Sequence, residues 1–264
     1  MEIVKSFLLQ ILLTVGVIVI FGYIIALCRR AFCRVLGRVG NKILLATGIV
    51  GTPIHELSHA LMCLIFGHKI KQIKLYQPNS TDGTLGFVSH SYNKKNIYHQ
   101  IGNLFIGIAP IICGSGFLFL LMLILTPDIS ADMWGSLDGV ADGGLGSYFE
   151  FIALFFESLF DASNFEDVRW WVFIVLAIMI SSHMELSGSD VKSGLVGFSF
   201  IAVILLLIDV LLFFLAPDAL DSLTAAAVSF ALPVASFLTV SVVFLLIMMA
   251  IALIIKGIAS LFKK

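Results

Sequence analysis

Six long apolar segments leave this 264-residue chain few architectures to choose from. They cover approximately residues 7–27, 43–66, 101–125, 170–184, 195–216 and 225–255. Most supply the about 20 apolar residues that a helix needs to cross a bilayer. With 59% hydrophobic and 12% charged residues, the chain has too little polar surface for a soluble domain. The expected fold is therefore an all-α polytopic membrane protein of about six transmembrane helices. The first segment follows a single lysine, Lys5, and is longer than a signal-peptide core. No small-residue cleavage site follows it, so it is expected to be retained as a span.

Within the second segment lies His55-Glu56-Leu57-Ser58-His59, an HExxH motif. On a helix, residues four apart project from one face, so His55 and His59 can grip one metal ion. Glu56 is placed beside them to take a proton from water. Polar side chains at membrane depth are costly and need partners or a function. Gly51, Thr52 and Pro53 precede the motif; Pro53 is expected to kink or start the helix, with Thr52 as its cap.

The remaining chain divides around this core. Residues 1–42 form an N-terminal transmembrane helix and a basic connector. In the connector Arg30, Arg34 and Arg38 recur every fourth residue among apolar side chains. That pattern suits an amphipathic interfacial helix or a basic linking segment. Residues 43–194 form the metal-bearing core, and 195–264 contribute two C-terminal transmembrane helices. Inside the core, Lys69 to Tyr76 and Thr84 to Ser91 alternate imperfectly around the turn-rich run 77–83, which predicts a β-hairpin over 69–91. A helix is expected over 101–125. Residues 127–168 hold nine acidic residues and neither Lys nor Arg and are expected to form an extracytoplasmic loop; its glycines suggest an irregular first half, and Tyr148 to Phe160 is aromatic-rich and helical in period. A short helix and a polar motif occupy 170–190.

Charge bias suggests an orientation. Lys69, Lys71, Lys74, Lys94 and Lys95 favour a cytoplasmic hairpin. Alternation then puts the acidic loop outside, Lys192 inside, the turn after Pro217 outside, and Lys256, Lys263 and Lys264 inside. The expectation is an integral protein of the plasma membrane with a cytoplasmic C-terminus. The basic segment up to Lys42 breaks this alternation.

Catalytic zinc sites use three protein ligands. The third is sought where polar residues interrupt an apolar segment, and 181–190 offers His183, Glu185 and Asp190. Asp209 is a further intramembrane carboxylate. The four cysteines show no CxxC spacing and read as neither a disulfide framework nor a cysteine-based zinc site. Cys63, four residues after His59, is expected mainly to pack. Of the remaining histidines, His90 stands out because the hairpin should approach the motif.

At this point the sequence resembles the site-2 protease family of intramembrane zinc metalloproteases. The resemblance is carried by Pro53-Ile54-His55-Glu56-Leu57-Ser58-His59-Ala60, by Phe66 to Leu75, and by Gly107-Ile108-Ala109-Pro110. It implies Zn2+ as cofactor, a hairpin that dips into the membrane, and an Asp as third ligand. Asp190 occupies that position, but neither the Pro nor the Gly of the family's motif is present, so Glu185 and His183 stay open. It also makes Asn103, Gly86 and Phe87 candidate substrate-binding positions.

The implied activity is hydrolysis of a peptide bond in a membrane-embedded protein or transmembrane peptide. The bilayer and an unidentified membrane protein are expected partners. Nucleic acid is not, because no basic, aromatic-laced surface segment is present. The alternatives are a catalytically inactive module on the same fold (a pseudoprotease, scaffold or metal-binding assembly factor), a transporter, and a water-facing zinc protease with Glu185 as ligand.

Overall fold

A computed structural model describes residues 2–81 and 83–261. Asp82 of the expected turn, and Lys263 and Lys264 of the expected cytoplasmic tail, lie outside the described residues. Helix α1 (Glu2–Ile11) passes through a π-helical turn (Leu12–Gly16) into α2 (Val17–Leu36). Helix α3 (Arg38–Ile65) follows at once. The basic stretch is thus neither a separate interfacial helix nor a linker, but the junction of two long helices. Gly37 makes the reversal, with φ +57° and ψ −126°, a backbone conformation that a Cβ strains. Pro53 lies inside α3 and Thr52 does not cap it, so the helix runs through the expected start.

Strands β1 (Lys69–Lys74) and β2 (Phe87–Ser91) pair antiparallel, with Ile70 opposite His90 and Lys74 opposite Phe87. Helix α4 (Ile97–Leu125) follows, then α5 (Pro127–Leu159), α6 (Val168–Ser181), α7 (Gly188–Leu215) and α8 (Pro217–Leu261). Four helical stretches are long and apolar enough to cross a membrane: 3–36, 97–125, 188–215 and 217–258. They make the chain an integral membrane protein, but not one with six equivalent spans. Helix α3 carries too many polar groups to join them, and α6, with 14 residues, is too short to cross alone.

The acidic stretch is helical over residues 148–159, as its period suggests, and also in the glycine-bearing first half expected to be irregular; the helix is not straight. Ser158 Oγ donates to Asp132 Oδ2 at 2.7 Å. A straight helix would hold these residues about 39 Å apart. Glycine-rich sequence between them permits the bend, and the two halves pack back against the bundle. Trp134 stacks on Phe119 of α4, and Tyr148 bonds to Thr239 of α8. The stretch contributes to the hydrophobic core, where Phe151, Phe155 and Leu159 join Phe173 and Phe244.

Contacts along α4 show how the other helices run. Met184 lies where a side chain on Gly114 would extend, the Asp190 carbonyl lies against Gly107, and Gly197 abuts Leu104 and Gln100. Helices α6 and α7 therefore form one interrupted passage antiparallel to α4. The break between them is buried over Ser181, Ser182, His183 and Met184 and opens toward the cavity at Ser187 and Ser189, which are exposed. Gln10 bonds to Thr224 at one end of the bundle, and Lys256 bonds to the Val35 carbonyl at the other. Val15 lies near Leu104 and Gly22 near Ile111, so α1–α2 runs parallel to α4. The hairpin, which enters α4, thus lies at the Gln10 end, opposite Lys256. The hairpin and Lys256 thus lie at opposite ends of the bundle, where charge alternation expects them on one face.

Candidate metal centre

His55 and His59 sit one turn apart on α3, with their Nε2 atoms 3.1 Å from each other. Each ring is held from behind. His55 Nδ1 donates to the His183 carbonyl at 2.6 Å, and His59 Nδ1 donates to the Ile106 carbonyl at 2.7 Å. A neutral imidazole with its proton on Nδ1 presents a bare lone pair at Nε2. Both lone pairs point to the same place, the arrangement by which outer partners orient metal-binding histidines.

Asp190 completes the group. Its Oδ1 lies 3.4 Å from His59 Nε2, and its Oδ2 lies 4.0 Å from His55 Nε2. One ligand atom from each of the three residues falls within 4.8 Å of the others. Two lone pairs and a carboxylate converging there repel one another unless a cation lies between them, so the donor set fits zinc. Asp190 is also the third residue of a capping box at the start of α7. Its Oδ2 accepts from Ser187 N at 2.9 Å, while Ser187 Oγ accepts from Asp190 N at 3.2 Å.

The other sequence candidates take different roles. Glu185 forms an ion pair with Arg29 and is not in the donor group. The His183 ring bonds to Thr47 Oγ1 at 3.0 Å and lies 3.4 Å from Thr52 Oγ1. What His183 gives the site is its backbone carbonyl, because the turn aims that oxygen at His55. Asp209 is buried 19 residues along α7 from Asp190, about 28 Å at the helical rise. Asn103 Nδ2 bonds within its own helix to the Gln100 and His99 carbonyls, as asparagine in a helix interior tends to do, and it does not line the cavity.

The cavity, about 470 Å³, is lined by His55, Glu56, His59 and Asp190 on one side and by Gly86 and Phe87 on the other. Glu56 is buried beside the donor group. A Cβ on Gly86 would lie 2.8 Å from Glu56 Cγ, so the hairpin backbone closes directly over the carboxylate side chain. The Ile106 carbonyl and Arg29 were not anticipated. The first leaves no mark in sequence, since any residue supplies a carbonyl; the second is one of several arginines in a regular basic run.

Cys63 does not enter this group. It meets His68 and His90 instead. Burial lowers the pKa of both these imidazoles, and for His90 the neighbouring His68 and His59 rings add to the shift.

Residues 48–137 match a family model described as "Putative zincin peptidase". The matched stretch spans the HExxH helix, the hairpin, α4 and the start of α5. It supports a zinc metallopeptidase. No curated protein and no solved structure matches the chain.

Proposed function

We propose that this chain is an intramembrane zinc metalloprotease of site-2 protease type, hydrolysing a peptide bond in a membrane-embedded protein substrate. The observation that carries this reading is the convergence of His55 Nε2, His59 Nε2 and Asp190 within 4.8 Å, deep in an apolar bundle. Ile106, whose carbonyl orients His59, lies nine residues from the start of α4 and 19 from its end, about 14 Å and 28 Å along the helix. His55, His59 and Asp190 would hold the ion. When bound, zinc acts as a Lewis acid on a carbonyl and makes water a stronger acid.

The chain's own groups account for the rest. Glu56 takes the proton of the attacking water and passes it to the leaving nitrogen. The hydrogen bonds that His55 and His59 donate to the His183 and Ile106 carbonyls keep both rings in the binding tautomer. A substrate helix must unwind to expose its scissile bond. The extended backbone at Gly86–Phe87, which closes over Glu56 and lines the cavity, offers an edge for it to pair with. Core residues of about 43–194 would carry the reaction, and the lipid bilayer would present the substrate.

The test is Glu56→Gln in the full chain, reconstituted with a single-span model peptide whose centre is weakened by glycines. Loss of cleavage by at least about 10²-fold is expected, with zinc content unchanged. Cleavage at the wild-type rate would remove Glu56 from the reaction and overturn this reading.

A further inference from the structure

We propose that Cys63, His68 and His90 hold a second metal ion, one of the thiolate- and imidazole-binding class to which zinc belongs. One ligand atom from each falls within 4.8 Å of the others, and Cys63 and His68 are buried. The placement is built by local structure. Helix α3 ends in a Schellman motif: His68 N donates to the Cys63 carbonyl at 2.8 Å and Gly67 N to the Leu64 carbonyl at 3.2 Å. Gly67 has φ +68°, which the motif requires and which glycine adopts without strain. This cap folds His68 back over the helical turn that carries Cys63. The hairpin register then brings in the third residue, because His90 stands opposite Ile70, two residues beyond His68.

The orientation of the rings favours a ligand set over a packing cluster. His68 Nε2 donates to the His99 carbonyl at 2.9 Å, so in the neutral ring Nδ1 is bare. That atom faces His90 Nδ1 at 3.0 Å. Tyr92 stacks on the His68 ring at 4.7 Å and holds its plane. One thiolate and two imidazoles suit zinc or copper(I), and among the described residues no fourth His, Cys, Asp or Glu joins the three. Cys63 follows His59 by one helical turn, and His90 also lines the main cavity. A metal here would fasten the open end of the hairpin to the helix that carries the HExxH motif, and so fix where Gly86 and Phe87 stand against Glu56.

Cobalt(II) titration of the metal-stripped full chain in detergent tests this. A thiolate–cobalt ligand bond gives a near-ultraviolet charge-transfer band that the sulfur-free His55–His59–Asp190 set cannot give. The band is expected in the wild type, absent in Cys63→Ser and in His90→Gln, and retained in the His55→Ala/His59→Ala double variant. Zinc-loaded wild type should hold two ions per chain and His90→Gln one. The His90→Gln variant changes a half-buried strand residue, so it keeps the test informative if Cys63→Ser does not fold. Absence of the band in the wild type, its survival in either single variant, or its loss in the double variant would overturn the proposal; the first outcome would mean that His68 and His90 share only a hydrogen bond.

Discussion

Asp190 shows how one side chain can serve two structures at once. One carboxylate oxygen closes the capping box on Ser187 N while the other faces His59. The cap therefore fixes the carboxylate before any ion arrives, as outer-shell partners of a metal site do. Replacing Ser187 by Ala removes half of that box. We expect the helix start to weaken by about 1 kcal/mol. Zinc affinity at the His55–His59–Asp190 set should fall by at least about 10-fold, measured by competition with a chelator. An unchanged affinity would mean that the cap and the ligand act independently. The HExxH pair was legible because i and i+4 positions share a helix face whatever surrounds them. The third residue was not. His183, Glu185 and Asp190 lie within eight positions, and the choice among them depends on Arg29 engaging Glu185 and on the turn that points the His183 carbonyl, not its ring, at His55.

At the scale of elements, the hairpin and the helical second half of the acidic stretch were readable, and the helical first half was not. Alternation around a turn-rich run is a local signal, and β1 and β2 fall inside the ranges it marks. The bend in α5 depends on contacts with α4 and α8, which no local pattern encodes. The hairpin's function rests on close approach. A Cβ on Gly86 would lie 2.8 Å from Glu56 Cγ, from Thr52 Cγ2 and from the Lys74 carbonyl, so no single rotamer change relieves it. Gly86→Val should therefore push the strand and Glu56 apart by a few tenths of an ångström or more. Peptide cleavage should fall by about 10²-fold, in line with the cost of small misplacements in an active site. Zinc content should stay at the wild-type value, since none of the three ligands touches Gly86. Equal loss of zinc and cleavage would show that the hairpin supports the metal site rather than Glu56.

At the scale of the whole molecule, charge is a weak guide to orientation. Both ends of the bundle are basic. Lys69, Lys71, Lys74, Lys94 and Lys95 lie at the hairpin end, and Arg30, Arg34, Arg38 and Lys256 at the other. Alternation was the remaining guide, and it counted α6 and α7 as two passages. Among the described residues α1–α2, α3, α4, the interrupted α6–α7 pair and α8 each run along the bundle, with α5 bent back toward the end it leaves. Gln10 and Lys256 accordingly lie at opposite ends of that bundle. The interruption in α6–α7 is also what makes a site possible: backbone without helical hydrogen bonds is tolerated at membrane depth only where protein buries it or a cavity receives it. The prediction is a labelling pattern. In sealed, uniformly oriented vesicles, with Cys28, Cys33 and Cys113 replaced, a membrane-impermeant thiol reagent should reach Asn93→Cys from one side and Gly257→Cys from the other. Labelling of both from the same side would mean that the polar turn at 182–187 returns to the surface and that α6 and α7 cross separately, which would carry Asp190 away from the histidines.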